Sequence, residues 1–161
     1  MNGLSKHVWK IYGLFIAGTE AVGALSGFLT RNGTKLYQVQ VVKPPLNPPA
    51  VVFPVVWGIL YALMGAGAAR VWMRPPSKAR TNGLWIFFVQ LAVNFLWSIV
   101  FFNLQVYGFA LLWLVGLWFL ILIMILQFYR VDKKAAWMQI PYLLWLTFAA
   151  VLNGAVWLLN R

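Results

Sequence analysis

Five apolar runs alternate with short polar stretches along the chain: Ile11 to Leu29, Val51 to Val71, Gly83 to Phe102, Tyr107 to Phe128 and Ala136 to Leu159. A membrane-spanning helix needs about 20 predominantly apolar residues, and each run meets that length. The pattern predicts an all-α fold, a single domain over residues 1–161 built as an integral membrane bundle of five transmembrane helices. No charged residue occurs between Thr81 and Tyr129, which is too long for one span, and the polar stretch NLQVYG at 103–108 supplies a turn with a glycine. The third and fourth spans are therefore expected to form an antiparallel hairpin. The first connection is the longest, about twenty residues, and it is proline-rich. Pro44, Pro45, Pro48 and Pro49 are four of the chain's eight prolines. They fix their own φ and push preceding residues toward extended conformations, so this stretch stays out of helix, with Pro49 placed near the first turn of the second span. Such a loop is either a rigid spacer or a preorganised lid.

The spans differ in what their faces carry. Phe53, Trp57, Tyr61, Met64 and Ala68 fall on one face of the second, and Gln90, Asn94, Trp97, Ser98 and Phe101 on one stripe of the third. Tyr142, Trp145, Ala149 and Asn153 line one face of the fifth. Polar side chains at membrane depth face the bundle interior. Convergence of these stripes would wall a pocket with Trp57, Trp97 and Trp145 and leave Tyr61, Asn94 and Asn153 as its hydrogen-bonding points, which suits a large, flat, mainly apolar ligand. The alternative is that Asn94 and Asn153 bond helix to helix while the tryptophans pack or anchor, as Trp9, Trp72 and Trp85 near the span ends would. The fourth span is apolar around its whole circumference apart from Gln127 and is expected to face lipid.

Composition agrees with the membrane reading: 63% hydrophobic and 9% charged residues, with a mean hydropathy of +0.80. The net charge of +11 could suggest nucleic acid, yet no basic helix or stripe is present, and nucleic acid is excluded as a partner. The cations lie between spans, where topology and anionic lipid headgroups place them. Lys6, Lys10, Arg70, Arg74, Lys78, Arg80, Arg130, Lys133 and Lys134 fall on one side, and Arg31, Lys35, Lys43 and Arg161 on the other. That asymmetry predicts a cytoplasmic N-terminus and an external C-terminus. The N-terminal segment has the basic start of a signal peptide, but its apolar part is long, contains Glu20 and lacks a small-residue cleavage site, so it is read as a retained span. With no targeting segment, a bacterial plasma membrane is the simplest expectation.

Candidate chemistry is sparse. Glu20 is the one acid inside a span, where it either donates a helix-to-helix hydrogen bond as a neutral carboxyl or serves a proton-coupled exporter. Gly23 and Gly27 form a G-x-x-x-G pair that permits close helix approach, within the bundle or between subunits. His7 reads as a solvated interfacial side chain. The chain has no cysteine, no metal-ligand cluster, no nucleophile-base pair and no phosphate-binding glycine loop, so no conventional catalytic motif, metal site or required cofactor is expected.

Three stretches carry a resemblance. KPPLNPPAVVFPVVWGILYALMGAGAARVW, beginning at Lys43, QLAVNFLWSIVFF (90–102) and PYLLWLTFAAVLN (141–153) resemble, in order, the first loop with second helix, the third helix and the fifth helix of the translocator protein family, also called tryptophan-rich sensory or peripheral benzodiazepine receptor-like proteins. The resemblance implies a receptor or sensor for protoporphyrin-type tetrapyrroles and similar flat hydrophobic ligands, held within the bundle and lidded by the first loop. A protoporphyrin IX-like tetrapyrrole would be ligand, not cofactor, and a homodimer in the lipid bilayer is implied. The ligand-binding set is then Phe53, Trp57, Tyr61, Gln90, Asn94, Trp97, Tyr142, Trp145, Ala149 and Asn153. The lid is Lys43, Pro44, Pro45, Leu46, Asn47, Pro48 and Pro49, with Arg31, Lys35 or Lys43 meeting the ligand's carboxylates. Alternative family roles are light-dependent porphyrin degradation, with Trp57 and Trp145 as the catalytic residues, and transport of tetrapyrroles or sterols. The chain departs from the family pattern at Leu46, where an aromatic residue is common, and at Gly154 and Leu158, where sterol-responsive members carry tyrosine and arginine. A formal match to a cholesterol motif at Leu126, Tyr129 and Lys133 is weak.

Overall fold

A computed structural model describes residues 3–161; the first two residues of the expected single domain lie outside the described residues. Among the described residues the chain is all helix and loop. Helix α1 runs over Gly3–Leu29, α2 over Arg31–Gln40, α3 over Val52–Trp72, α4 over Lys78–Ser98, α5 over Tyr107–Val131, α6 over Lys133–Trp137 and α7 over Ile140–Leu159. Five helical stretches are long and apolar enough to cross a membrane: α1, α3, α4 with its π-helical continuation Ile99–Asn103, α5, and α6 with α7.

The expected spans exist, and their ends differ for local reasons. The first helix starts well before Ile11, because nothing between Gly3 and Lys10 breaks it. The fourth element begins at Lys78, five residues ahead of Gly83, where the Ser77 hydroxyl caps the helix by accepting from the Arg80 N–H at 3.1 Å. Pro75 and Pro76 prevent α3 from running on into it. Pro54, rather than Pro49, sits in the first turn of α3, where a missing N–H has no intrahelical acceptor to lose. The last span is broken at Met138 and Gln139 into α6 and α7, with Pro141 in the first turn of α7.

Two expectations change more. The first connection is not irregular over its whole length: its first half is α2, and the non-helical loop is confined to residues 41–51. Helix α2 is polar along most of its length and turns Gly33 and Tyr37, four residues apart, toward the bundle. The fourth span does not simply face lipid. One side of α5, through Leu114, Leu117, Ile121, Met124 and Phe128, is fully buried, while Phe109, Leu112, Phe119, Ile123 and Leu126 remain exposed. A helix that is apolar all round gives no periodicity from which its buried side could be read.

The hairpin of α4 and α5 is present, and the Trp113 indole N–H donates to the Val93 carbonyl across it at 2.8 Å. Its turn does not use the glycine: Gln105 takes the left-handed conformation at φ 56°, and Gly108 lies inside α5 against the Trp157 ring. Helix α1 packs closely on α3, because Gly65 leaves no side chain between the two backbones at Ile16. Gly23 of the expected glycine pair lies against the Tyr61 ring, inside the bundle, whereas Gly27 faces open space.

Candidate functional site

The polar positions of α3, α4 and α7 meet in the interior. Tyr142 donates its hydroxyl to Gln90 Oε1 at 2.8 Å and accepts from Asn94 Nδ2 at 2.9 Å. Gln90 and Asn94 lie one turn apart on α4, so a single tyrosine from α7 reaches both. The second amide arm of Gln90 points at the Met64 sulfur of α3, 3.9 Å away. All three polar side chains are fully buried, and Tyr142 bonds to both amides. This network cross-links α4 to α7 and α3, with one N–H of each amide group left outside it. Asn94 thus bonds helix to helix.

Aromatic rings lie beside this floor. Trp57 meets Tyr61 at 5.6 Å and Tyr142 edge-on at 6.1 Å between centroids, and Phe53 meets Trp145 edge-on at 6.0 Å. Helix α3 packs mainly on α1, and α7 mainly on α5, so α3 and α7 approach each other through these rings rather than through their backbones. Tyr61, Gln90, Asn94, Trp97, Tyr142 and Asn153 are buried, whereas Phe53, Trp57, Trp145 and Ala149 are half-buried along the α3/α7 seam. The ten candidate residues therefore divide into six buried ones, with Gln90, Asn94 and Tyr142 as a hydrogen-bonded floor, and a half-buried, mainly aromatic face.

A second polar group sits where the π-helical turn ends α4. Trp97 stacks on Phe101 at 5.1 Å, and Phe101 touches both Tyr107 at 5.1 Å and Tyr37 at 5.5 Å. Asn153 donates to the Tyr107 carbonyl at 2.8 Å, again a helix-to-helix bond. Three buried atoms here have no partner among the described residues: Trp97 Nε1, the Tyr107 hydroxyl and Asn153 Oδ1. Leaving such a group unpaired costs about 1–3 kcal/mol, which a water or a ligand's polar group would offset.

The proline-rich loop lies at the same end. Asn47 closes a turn onto the Pro44 carbonyl at 2.9 Å and accepts from the Tyr37 hydroxyl at 3.2 Å. Tyr37 is only 4% exposed, seated on Phe101 and Phe102, and burial together with nearby Tyr107 pushes its hydroxyl up to about 12. Gly33, one turn before Tyr37, has its Cα against the Phe102 carbonyl, so α2 can lie directly on the π turn. Asn160 brackets the loop's start, donating from Nδ2 to the Val42 carbonyl at 2.9 Å and accepting from the Val42 N–H at 3.0 Å. Pro44 is buried and Lys43, Asn47 and Pro48 are half-buried, whereas Pro45, Pro49 and Leu46, 64% exposed, face outward.

The three cations considered for ligand carboxylates are not equivalent. Lys43 donates to the Gln38 carbonyl at 2.7 Å, and to those of Tyr37 and Val41, and so caps the end of α2. Arg31 donates to the Phe28 carbonyl at 2.7 Å and covers the Phe28 ring. Lys35 stands on the exposed side of α2. Tyr37, Tyr107 and Asn160 were missing from the sequence-derived set. The spacing of Gly33 and Tyr37 is the one signal that could have flagged α2; nothing local marks Asn160.

At the opposite end, Asp132 gathers two arginines. Arg70 donates to Oδ1 at 3.2 Å and to Oδ2 at 3.0 Å, Arg74 donates to Oδ2 at 2.8 Å, and the Ala135 N–H donates to Oδ1 at 3.0 Å. Burial pushes the Asp132 carboxyl up, but the Ala135, Arg74 and Arg70 hydrogen bonds outweigh it and hold it down at about 2. A crevice of about 120 Å³ lies here, lined by Tyr12, Arg70, Met73, Arg74 and Asp132. A larger apolar groove of about 320 Å³ runs along α1 and α4, lined by Val22, Leu25, Phe88, Leu91, Ala92 and Phe95. Neither lies at the aromatic seam.

Residues 15–158 match the model of the TspO/MBR family. The chain is 38% identical over 141 residues to the tryptophan-rich protein TspO of Chlorobaculum tepidum, covering 87% of this chain and 89% of the relative. It is 40% identical over 119 residues to protein CrtK of Rhodobacter capsulatus, covering 73% and 74%. It is 32% identical over 150 residues to the translocator protein of Bos taurus, covering 89% of each.

Proposed function

The chain belongs to the TspO/MBR family, and from that membership we propose that it is a membrane receptor or sensor. Its ligands would be protoporphyrin-type tetrapyrroles and similar flat hydrophobic molecules, taken up at the α3/α7 seam beneath the proline-rich loop. The observation that carries this reading is the division of the candidate residues. Trp57, Trp145 and Phe53, with Ala149 beside them, form a half-buried, mainly aromatic face over the hydrogen-bonded Gln90, Asn94 and Tyr142. A flat π-system stacks on such a face without having to break the Tyr142 network. The unpaired Trp97, Tyr107 and Asn153 atoms near the lid would pair with polar substituents of the same ligand. In this proposal the protein sits in a bacterial plasma membrane as a homodimer, with the arginine-rich end cytoplasmic and the lid outside.

Titrating protoporphyrin IX against the detergent-solubilised protein, read by the porphyrin's own absorbance, tests the seam. The combined Trp57→Ala and Trp145→Ala variant is expected to weaken binding by about tenfold or more, two aromatic contacts of about 0.5–1.5 kcal/mol each beyond their buried area. Unchanged affinity in that variant rejects the site.

A second reading, light-dependent breakdown of the bound tetrapyrrole, is favoured by one feature. Trp57 lies beside two tyrosines, Tyr61 and Tyr142, so the indole that would give an electron to the photoexcited tetrapyrrole, with dioxygen as the terminal oxidant, sits among other oxidisable rings. Under illumination the porphyrin band should then decay faster with the native protein than with Trp57→Phe and Trp145→Phe variants, and equal rates dismiss it.

A further inference from the structure

The crevice at the Asp132 end is separate from the aromatic seam, and its charges do not balance. Two guanidinium groups share one carboxylate, and Asp132 is the one acid of the chain outside the spans. Arg70 takes both carboxylate oxygens through Nε and Nη2, and its Nη1 reaches the Tyr12 hydroxyl at 3.4 Å. Arg74 is bound to the same carboxylate through Nε and Nη2 on one oxygen, and its side chain stays 48% exposed. Its Nη1 is left over among the hydrogen bonds of the described residues. Tyr12 accepts from Arg70, so its own O–H remains available to donate. The crevice therefore presents one surplus positive charge, a guanidinium N–H and a phenol O–H, beside the apolar Met73.

The level of this crevice is marked by its neighbours. Trp9 lies 6.0 Å from Tyr12 and is exposed, as are Trp72, Trp85 and Trp137, indoles that favour the membrane–water boundary. Arg80 is not a competitor for the same role, because it donates to the Trp72 carbonyl and caps α3. From this we propose that the Tyr12–Arg74 crevice is a phospholipid headgroup site, in which the phosphate of an anionic lipid accepts from Arg74 Nη1 and from the Tyr12 hydroxyl. A guanidinium meets phosphate oxygens with good geometry, and the crevice has room for a phosphate-sized group. Lys133 and Lys134, both exposed at the start of α6, add to the local positive potential and disfavour a choline headgroup.

The test uses the full chain in detergent, titrated separately with short-chain phosphatidylglycerol, phosphatidylcholine of equal chain length, and inorganic phosphate, read by the midpoint of thermal unfolding. Phosphatidylglycerol is expected to raise the midpoint saturably, phosphatidylcholine to have little effect, and inorganic phosphate to act only at much higher concentration. Arg74→Gln should weaken the phosphatidylglycerol response about tenfold, and Tyr12→Phe, which leaves the Asp132 pairs in place, about three- to fivefold. Lys134→Gln should change it by no more than about twofold. A native response in Tyr12→Phe overturns the site even if Arg74→Gln folds poorly. Equal losses in Arg74→Gln and Lys134→Gln show diffuse attraction and overturn it too. Inorganic phosphate as potent as the lipid would leave an anion site and reject the lipid as its occupant.

Discussion

The two ends of the bundle are held shut by different physics. At one end Asp132 draws α3 and the α5–α6 junction together with charge-assisted bonds from Arg70 and Arg74. At the other, α2 and the proline-rich loop are held by neutral bonds, Tyr37 to Asn47 and the two between Asn160 and Val42, and by the Lys43 ammonium, which meets only neutral carbonyls and no opposite charge. Charge-assisted bonds to a buried carboxylate are roughly twice as strong as neutral ones and costly to break singly. Neutral bonds near the surface exchange with water at little net cost. The first end is therefore the firmer of the two, and under the proposed function the second is the one that would open to a ligand.

Removing Asp132 breaks that contrast most severely. Asp132→Ala leaves two arginines facing each other and uncaps α6, and a loss of about 3 kcal/mol in unfolding free energy is expected, since Arg74 is half in solvent. Chemical unfolding in detergent measures it. The same pair sets an acid limit. The carboxyl sits at about 2 when folded against 3.8 unpaired, so its contribution is present above about pH 4 and is lost as pH falls through about 2. Asp132→Asn should lack that acid-dependent step.

A smaller and different effect is expected at the proline-rich loop. Asn160→Ala removes three neutral bonds, two to Val42 and one to the Val156 carbonyl, and should lower stability by only about 1–2 kcal/mol, while speeding dissociation of bound protoporphyrin severalfold in stopped-flow measurements. A stability loss as large as that of Asp132→Ala, without faster dissociation, would erase the difference between the ends. Least is expected from Leu46→Trp. The side chain is exposed and faces outward from the loop, so both stability and porphyrin affinity, measured by the same absorbance titration, should change by no more than about twofold.

The same division runs through what could be read in advance. The five spans were legible because the cost of placing a side chain in hydrocarbon is summed residue by residue over a window of about 20. The inward stripes of α3, α4 and α7 were legible for a related reason, as their polar and aromatic positions recur at helical spacing. Helix α2 escaped because ten mostly polar residues beside a proline cluster resemble a loop until Tyr37 has Phe101 and Phe102 to rest on. The buried side of α5 escaped because every side of it is equally apolar.

Sequence by itself determined the number of spans, the aromatic and polar faces that meet, and the family motifs that carry the porphyrin proposal. Only the tertiary structure decided how those faces meet: Tyr142 bonds to both Gln90 and Asn94, while Trp57 and Trp145 stay half-buried at the seam. The partnership of Asp132 with Arg70 and Arg74, 62 and 58 residues away, and that of Asn160 with Val42, 118 residues away, also belong to the fold. Membrane insertion depends on a property each segment carries alone. A hydrogen bond or ion pair depends on which distant residue the packed helices deliver to within about 3 Å.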